Sequence, residues 1–264
     1  MNPIITFTSD YGTRDEYVGS VKGVILGLCP EATIADLSHE IAPQAIDEAA
    51  WLLANALDAF PNGAIHLAVV DPGVGGPRRA LAARTRRGYW VGPDNGLFGL
   101  VFERDGPPTV IEIDQKRFMR EHAGGATFHG RDLFAPVAAR LACGSPLSLF
   151  GRPLQEWVRL PVAQPRQLPS RIEGQVVRID RFGNLITNIT AEHLGQALGR
   201  PARLSIVIAK TRLSLYRFYA ETPQGRVGAL INSSGHLEIF APSASAKQLL
   251  GAGKQTPVTV ELTQ

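Results

Sequence analysis

An α/β domain with a mostly parallel sheet, followed by a smaller antiparallel β domain, is the fold class that this 264-residue chain predicts. Three observations carry it. Through about the first 140 residues, apolar strand-like runs alternate with segments of helical period, the pattern of an α/β sheet. After Cys143, the residues Pro146, Pro153, Pro161, Pro165 and Pro169 interrupt every period, as in a linker or extended crossover. From Ile172 to the end come short β-rich runs split by Gly, Asn or Pro. At roughly 150 residues per domain the length fits one large domain or two smaller ones. The expected division is an N-terminal α/β domain over 1–165 and a C-terminal β-barrel-like domain over 171–264.

Each element has its own local reason. Ile4 to Thr8 is an apolar run of β-formers, ended by the polar turn Ser9-Asp10-Tyr11-Gly12. Thr13-Arg14-Asp15-Glu16 has the spacing of a capping box, with Thr13 at the N-cap and Glu16 at its third helical position. Tyr17, Val18, Val21, Val24, Ile25 and Leu28 then mark one helix face, stopped by Pro30. Thr33 to Leu37 reads as a second strand. Pro43 suits a first helical turn, and Ile46, Ala50, Leu53, Leu57 and Phe60 line a second helix that Pro61 and Gly63 stop. Ile65 to Val70 is apolar on both faces apart from His66, as buried parallel strands are. Leu81 to Thr85 and Tyr89 to Gly92 predict an added hairpin, and Asp132 to Ala142 a closing helix. Beyond the linker, Val176–Ile179, Leu185–Ile189, Leu204–Ile208, Val227–Ile231, Leu237–Phe240 and Val258–Leu262 predict a small barrel or sandwich of about 95 residues.

Composition narrows the function. Hydrophobic residues make up 44% and charged residues 19%, which excludes a disordered chain. No apolar run approaches the roughly 18 residues of a membrane span. Met1-Asn2-Pro3-Ile4 lacks the basic start of a signal peptide, so a cytoplasmic location is expected. The net charge is only +3, and the one tight basic group, Arg84, Arg86 and Arg87, has no interleaved aromatic residues, which argues against nucleic-acid binding. Cys29 and Cys143 are too few for a disulfide scaffold; each lies in an apolar stretch and reads as a buried thiol in a reducing compartment.

The polar residues gather at strand ends. Asp10 follows the first strand, Asp36 ends the second with His39 close behind, Asp71 follows the third, and Asp94 and Asn95 follow Val91. Ligands of open α/β sheets bind outside the carboxyl ends of the strands, so Asp10 and Asp71 are expected to converge on one crevice; singly, each reads more readily as a cap of a helix or turn. Val70-Asp71-Pro72-Gly73-Val74-Gly75-Gly76 is a glycine-rich loop without the Lys-Ser/Thr ending of a phosphate-binding loop. Thr127-Phe128-His129-Gly130-Arg131-Asp132 opens the last helix of the first domain and offers a histidine for acid–base work. Asp180 to Asn184 and Asn232-Ser233-Ser234-Gly235 read as ordinary polar turns on spacing alone. A metal centre is not expected: there is no Asp-x-His pair, no Gly-His-x-His run and no cysteine cluster.

Taken together, six segments in order resemble the S-adenosyl-L-methionine hydrolases, a family of hydroxide adenosyltransferases related to fluorinase and chlorinase. They are Thr8 to Gly12 with Asp15 to Gly19; Asp71-Pro72-Gly73-Val74-Gly75 with Arg78; Gly92-Pro93-Asp94-Asn95-Gly96; Thr127 to Asp132; Asp180 to Asn184 with Thr187-Asn188; and Asn232 to Gly235 with Leu237-Glu238-Ile239. The resemblance implies conversion of S-adenosyl-L-methionine and water to adenosine and L-methionine. It implies no cofactor or metal, and a homotrimer whose active sites lie between one subunit's N-domain and its neighbour's C-domain. Its catalytic triad maps to Asp71, Arg78 and His129. Its binding roles map to Asp10 for the ribose, Asp15 and Tyr17 for the methionine end, Asp180 and Ser233 for the ammonium and carboxylate, and Asn184 for the adenine edge. Two departures stand out. Ser234 replaces an arginine of the halogenases, and Phe240-Ala241-Pro242 replaces a segment that usually carries Asn, leaving adenine contacts there to the backbone. By the same resemblance the fluorinase carries tyrosines at the Asp71 and His129 positions, a halide-holding serine at the Gly130 position and an inserted loop after the glycine-rich segment, so water is the expected nucleophile. A halide-dependent halogenase and a non-catalytic adenosine sensor are the alternatives; a sensor has no use for the triad.

Overall fold

The structure is a computed structural model that describes residues 2–120, 127–161, 163–199 and 204–262. The chain divides into two compact units, Met1–Leu160 and Pro161–Gln264.

The first unit is built on a seven-stranded sheet. Its elements are β1 (Ile4–Ser9), α1 (Tyr17–Leu28), β2 (Thr33–Ser38), α2 (Ile46–Ala56), β3 (Ala64–Val69), β4 (Ala80–Arg84), β5 (Gly88–Pro93), α3 (Gly99–Asp105), β6 (Thr109–Ile113), α4 (Gln115–Phe118), α5 (Ala135–Ala142) and β7 (Gly151–Pro153). The strand order is β2-β1-β3-β5-β4-β6-β7. Pairings are parallel from β2 through β5 and antiparallel from β5 to β7. β3, expected to be apolar apart from His66, is buried at every residue. The hairpin forms as expected, and β5 lies directly beside β3. Gly88 and Gly92 allow that approach, because a Cβ at either would run into the carbonyl oxygen of Ala64 or Ala68.

Two expectations fail locally. Helix α1 begins at Tyr17 without a side-chain cap, and the Thr13 hydroxyl donates to Glu40 Oε1 at 3.4 Å instead of closing a capping box. The reach of Thr13 across to the segment after β2 outcompetes the local motif. The closing helix does not start as an α-helix: Gly130–Phe134 form a π-helical turn that leads into α5.

Chain order makes the sheet functional. β1 is flanked by β2 on one side and β3 on the other, so consecutive connections diverge between β1 and β3. Such a switch point opens a crevice at the carboxyl ends of the two strands. Asp10 follows β1 there, and Asp71 lies two residues past β3.

The second unit is an antiparallel sheet with the order β12-β11-β15-β9-β10-β14-β13, β8 pairing with β9. Its strands are β8 (Arg166–Leu168), β9 (Arg171–Ile179), β10 (Leu185–Thr190), β11 (Leu204–Ile208), β12 (Thr211–Leu213), β13 (Gly228–Ile231), β14 (His236–Phe240) and β15 (Pro257–Leu262), with short helices α6 (Ala191–Leu194) and α7 (Ala246–Leu250). Leu215, just past β12, bridges Ala229 of β13, so the two ends of the sheet are drawn together nearly into a barrel. Its interior is filled by Val176, Leu185, Ile189, Ile206, Leu237, Ile239 and Val260, one face of each strand.

Candidate active site

A cavity of about 590 Å³ opens at the β1/β3 switch point. Asp10, Tyr11, Tyr17, Gln44, Asp71, Phe128, His129 and Arg131 are among its lining residues. Of the acids expected at strand ends, only Asp10 and Asp71 meet here. Asp36 pairs with Lys22 and His39, Asp94 accepts from Arg79 and from the Val158 amide, and Asn95 donates to the Val70 carbonyl. Those three stabilise the frame.

At the floor, Asp71 and Arg78 form a two-pronged ion pair. Arg78 Nε donates to Asp71 Oδ1 at 2.8 Å, and Nη2 donates to Oδ2. The same Nη2 lies 2.6 Å from His129 Nδ1. Arg78 also lies over the Phe134 ring, 5.3 Å from its centroid. The side chains are only 11% and 4% exposed for Arg78 and Asp71, so water contributes little to holding this geometry. The neighbouring Arg79 is turned away to Asp94, so of the two adjacent arginines it is Arg78 that bonds the cavity-lining Asp71 and His129.

The arginine dictates the state of the histidine. A guanidinium can only donate, so Nδ1 must present its lone pair, and the proton of the neutral ring sits on Nε2. Burial, then the Arg78 charge, hold the His129 pKa below its ordinary value, against the opposite pull of Asp71 and Asp132. Nε2 is buried and has no hydrogen-bond partner among the described residues. A donor N–H left unpaired beside a polar cavity is ready for a ligand or a water.

The walls are aromatic. Tyr11, Tyr17 and Phe128 form a triangle with centroid separations of 5.3 to 5.8 Å. Arg131 stacks on Phe128 and is held by both oxygens of Asp132. Burial and the nearby Asp10 and Asp71 charges push the Tyr11 phenol strongly upward, so it stays protonated. Gly130 is required where it stands: a Cβ would collide with the Tyr11 hydroxyl and press on Phe128. Asp10 Oδ2 accepts the Gln44 amide at 2.9 Å. Gln44 adopts a left-handed backbone with φ of 66°, uncommon for a non-glycine residue. Asp15 is exposed and does not line this cavity.

The second unit has its own cleft of about 490 Å³, lined by Asp180, Phe182, Asn184, Tyr219, Phe240 and the segment 241–244. Asp180 shapes the turn it sits in. Its Oδ1 accepts the Phe182 and Asn184 amides at 2.9 and 2.8 Å, and its Oδ2 accepts Asn184 Nδ2 at 2.9 Å. This is the ordinary turn that spacing alone predicts, and it also lines a cleft. Phe182 at its tip is 76% exposed. The Tyr219 hydroxyl donates to the buried Glu238, which Asn232 Nδ2 also reaches. Ser233 is exposed in the Asn232–Gly235 turn and lies outside this cleft. Tyr11 and Phe128 lie in the recognisable motifs without a role being assigned to them; Gln44 and Tyr219 carry no sequence signal.

No group of three or more His, Cys, Asp or Glu side chains that could hold a metal occurs among the described residues, and none of their helices is long and apolar enough to cross a membrane. Two family models match, described as the SAM hydroxide adenosyltransferase N-terminal domain over residues 5–151 and C-terminal domain over residues 174–259. The chain belongs to the S-adenosyl-L-methionine hydroxide adenosyltransferase family. An (R)-S-adenosyl-L-methionine hydrolase of Thermus thermophilus is 40% identical across 98% of this chain and 99% of its own. A fluorinase of an Actinoplanes species is 31% identical across 92% of each. A crystal structure of a conserved Thermotoga maritima protein superposes with a TM-score of 0.91 at 32% identity, covering 97% of this chain and 99% of that one.

Proposed function

We propose that this protein hydrolyses S-adenosyl-L-methionine, in the (R) sulfonium configuration named for its relatives, to adenosine and L-methionine. The observation that carries the reading is Arg78 joined at once to Asp71 and His129 on the floor of the switch-point crevice. The sulfonium is already a good leaving group, so the chain must position one water in line with the ribose 5′ carbon and exclude others. As the new C–O bond forms, the C–S bond breaks, methionine leaves as a neutral thioether, and the proton of the attacking water passes to solvent water. The Arg78 charge and the His129 Nε2–H favour a hydroxide-like oxygen. His129 acts here as a donor, because Nε2 already holds its proton. Asp71 holds Arg78 in place.

The binding roles follow the family resemblance, and of its N-domain residues Asp10 and Tyr17 line the cavity. Asp10, fixed by the Gln44 amide, accepts from the ribose hydroxyls. Tyr17 and Asp15 face the methionine end. Asp180 and Ser233 take its ammonium and carboxylate, and Asn184 reads the adenine edge, all three from the C-domain of a neighbouring subunit in a homotrimer. No cofactor or metal takes part, the domains span 1–165 and 171–264, and the enzyme works in the cytoplasm. Against halide chemistry, the Tyr11 hydroxyl occupies the space that a side chain at position 130 would need.

The test is incubation of chelator-treated protein with S-adenosyl-L-methionine, with and without chloride or fluoride, and chromatography of the products. Adenosine and methionine, unaffected by halide or chelator, are expected. A 5′-halo-adenosine would assign the chain to the halogenases, and tight retention without turnover would make it a sensor.

A further inference from the structure

Cys29 and Cys143 close two helices at the same end. Cys29 directly follows α1 and Cys143 directly follows α5, and their amides complete the last turns, on Ile25 and Ala139 at 2.8 and 3.0 Å. The helices share one core, in which Val21, Ile25 and Cys29 sit with Ala138 and Leu141. Cys143 Sγ is 3.6 Å from the carbonyl oxygen of Leu28, the residue before Cys29, and the Cys143 thiol is one of the neighbours that raise the Cys29 pKa. Contrary to the sequence expectation of two buried thiols, Cys29 is buried and Cys143 is exposed. The opposite ends of these helices bear the active-site residues: Tyr17 begins α1, and His129 and the π-turn lead into α5.

We propose that Cys29 and Cys143 form a dithiol that a low-molecular-weight disulfide oxidises to an intramolecular cystine, clamping the ends of α1 and α5 remote from the cavity. The exposed Cys143 meets the oxidant first. Its thiolate attacks one sulfur of the small disulfide and expels a thiolate, which takes up the proton Cys143 released. Cys29 then loses its proton, attacks Cys143 Sγ and expels the second small thiol. Two protein S–H bonds become one S–S bond, and one small disulfide becomes two thiols. Burial and the Cys143 neighbour push the Cys29 thiol up to about 11, which suits it to the second, intramolecular step, where proximity substitutes for thiolate abundance. Because Cys143 Sγ already touches the residue before Cys29, the two sulfurs can close to the about 2 Å of a disulfide with a local adjustment at the helix ends. The inference is independent of the hydrolase reading.

The experiment equilibrates the full-length protein in glutathione buffers of stepped reduced-to-oxidised ratio, quenches with acid, alkylates under denaturing conditions and measures mass. The expected product is monomeric in chain mass, about 2 Da lighter than the reduced protein, unalkylated, and yields a linked Cys29–Cys143 peptide. Because the bridge closes a long loop, the oxidised form melts roughly 5–10 °C higher. The exposed-site variant Cys143→Ser shows neither change. A persistent glutathione adduct on Cys143 with Cys29 still alkylated, a disulfide between chains, no oxidation, or a melting temperature unchanged by oxidation would each overturn the clamp.

Discussion

Arg78 Nη2 lies 2.6 Å from His129 Nδ1, and this one contact sets the tautomer of the histidine. Since the guanidinium has no lone pair to offer, the imidazole donates from Nε2 and accepts from nothing in the cavity. Replacing His129 with Asn separates the two ring nitrogens. An asparagine oxygen reaches where Nδ1 was and keeps the Arg78 bond, but nothing reaches the Nε2 position. We expect His129→Asn to keep the melting temperature within a few degrees and to lose about 10²- to 10³-fold in kcat, as for removal of one oxyanion donor. Steady-state kinetics beside a thermal melt check this; a variant with full kcat refutes the donor role.

Arg78→Lys tests the other half of the contact. A lysine cannot grip both Asp71 oxygens and His129 at once. The ammonium keeps the charge but loses the fork, so a buried charged hydrogen bond is lost, at about 1.5–3 kcal/mol. The variant is expected to unfold at clearly lower denaturant concentration and to lose turnover. By contrast Arg79→Lys, where the arginine is 37% exposed and the buried Asp94 keeps the Val158 amide, costs about 1 kcal/mol and leaves kcat intact. Denaturant titration of both variants reads the difference.

The pH response has a definite sign. The pKa of His129 is held below its ordinary value in the folded protein, and that of His66 is pushed down to about 4, both chiefly by burial. Above about pH 6.5 both are neutral in folded and unfolded chains alike, and the full stability is present. As pH falls from there toward the folded values, the unfolded chain binds protons that the native state refuses, so stability declines. kcat/KM falls further into acid, where the folded His129 itself takes up a proton and repels Arg78. In His129→Asn the residual activity should lose that acidic limb while the His66 contribution to stability remains. Activity and melting profiles from pH 4 to 8 separate the two histidines.

How much of this was legible in the sequence depends on how local each cause is. The switch-point acids Asp10 and Asp71 could be read because strand periodicity places them at strand ends. Arg78 and Arg79 are adjacent and identical in type, and only their distant partners, Asp71 with His129 and Asp94, distinguish them. Gln44 is unmarked in the sequence because its role is a backbone one: its amide meets Asp10 across 34 positions. Helix α3 and strand β6 lie where the sequence reading assigned no element; β6 is short and gains its place by pairing with β4 and β7. The capping box of Thr13 failed for the reverse reason, a strong local signal overridden by Glu40.

Gly130 yields a steric prediction. A Cβ there collides with the Tyr11 hydroxyl. Gly130→Ser is expected to lower stability by about 1–3 kcal/mol, as overpacking does, and to reduce turnover without conferring halide dependence. Removing the obstructing oxygen in the double variant Gly130→Ser, Tyr11→Phe should recover part of the stability, a coupling that a double-mutant cycle reads directly. Additive effects would mean the collision is relieved elsewhere.

Active sites shared between subunits can be tested by mixing two inactive variants. Arg78→Lys damages the N-domain side of a site, and Asp180→Ala damages the C-domain side, where Asp180 organises the 180–184 turn. If every site lay within one chain, mixed oligomers would contain no intact site. If each site joins the N-domain of one subunit to the C-domain of the next, random assembly of equal amounts pairs an undamaged N-side with an undamaged C-side at about a quarter of the interfaces. Co-expressed and co-purified variants should then recover about a quarter of the wild-type specific activity, whereas each alone stays inactive. The recovered activity should also fall as one variant is put in excess, in proportion to the product of the two fractions. Activity that remains at the level of the separate variants at every ratio would place the whole site inside a single chain.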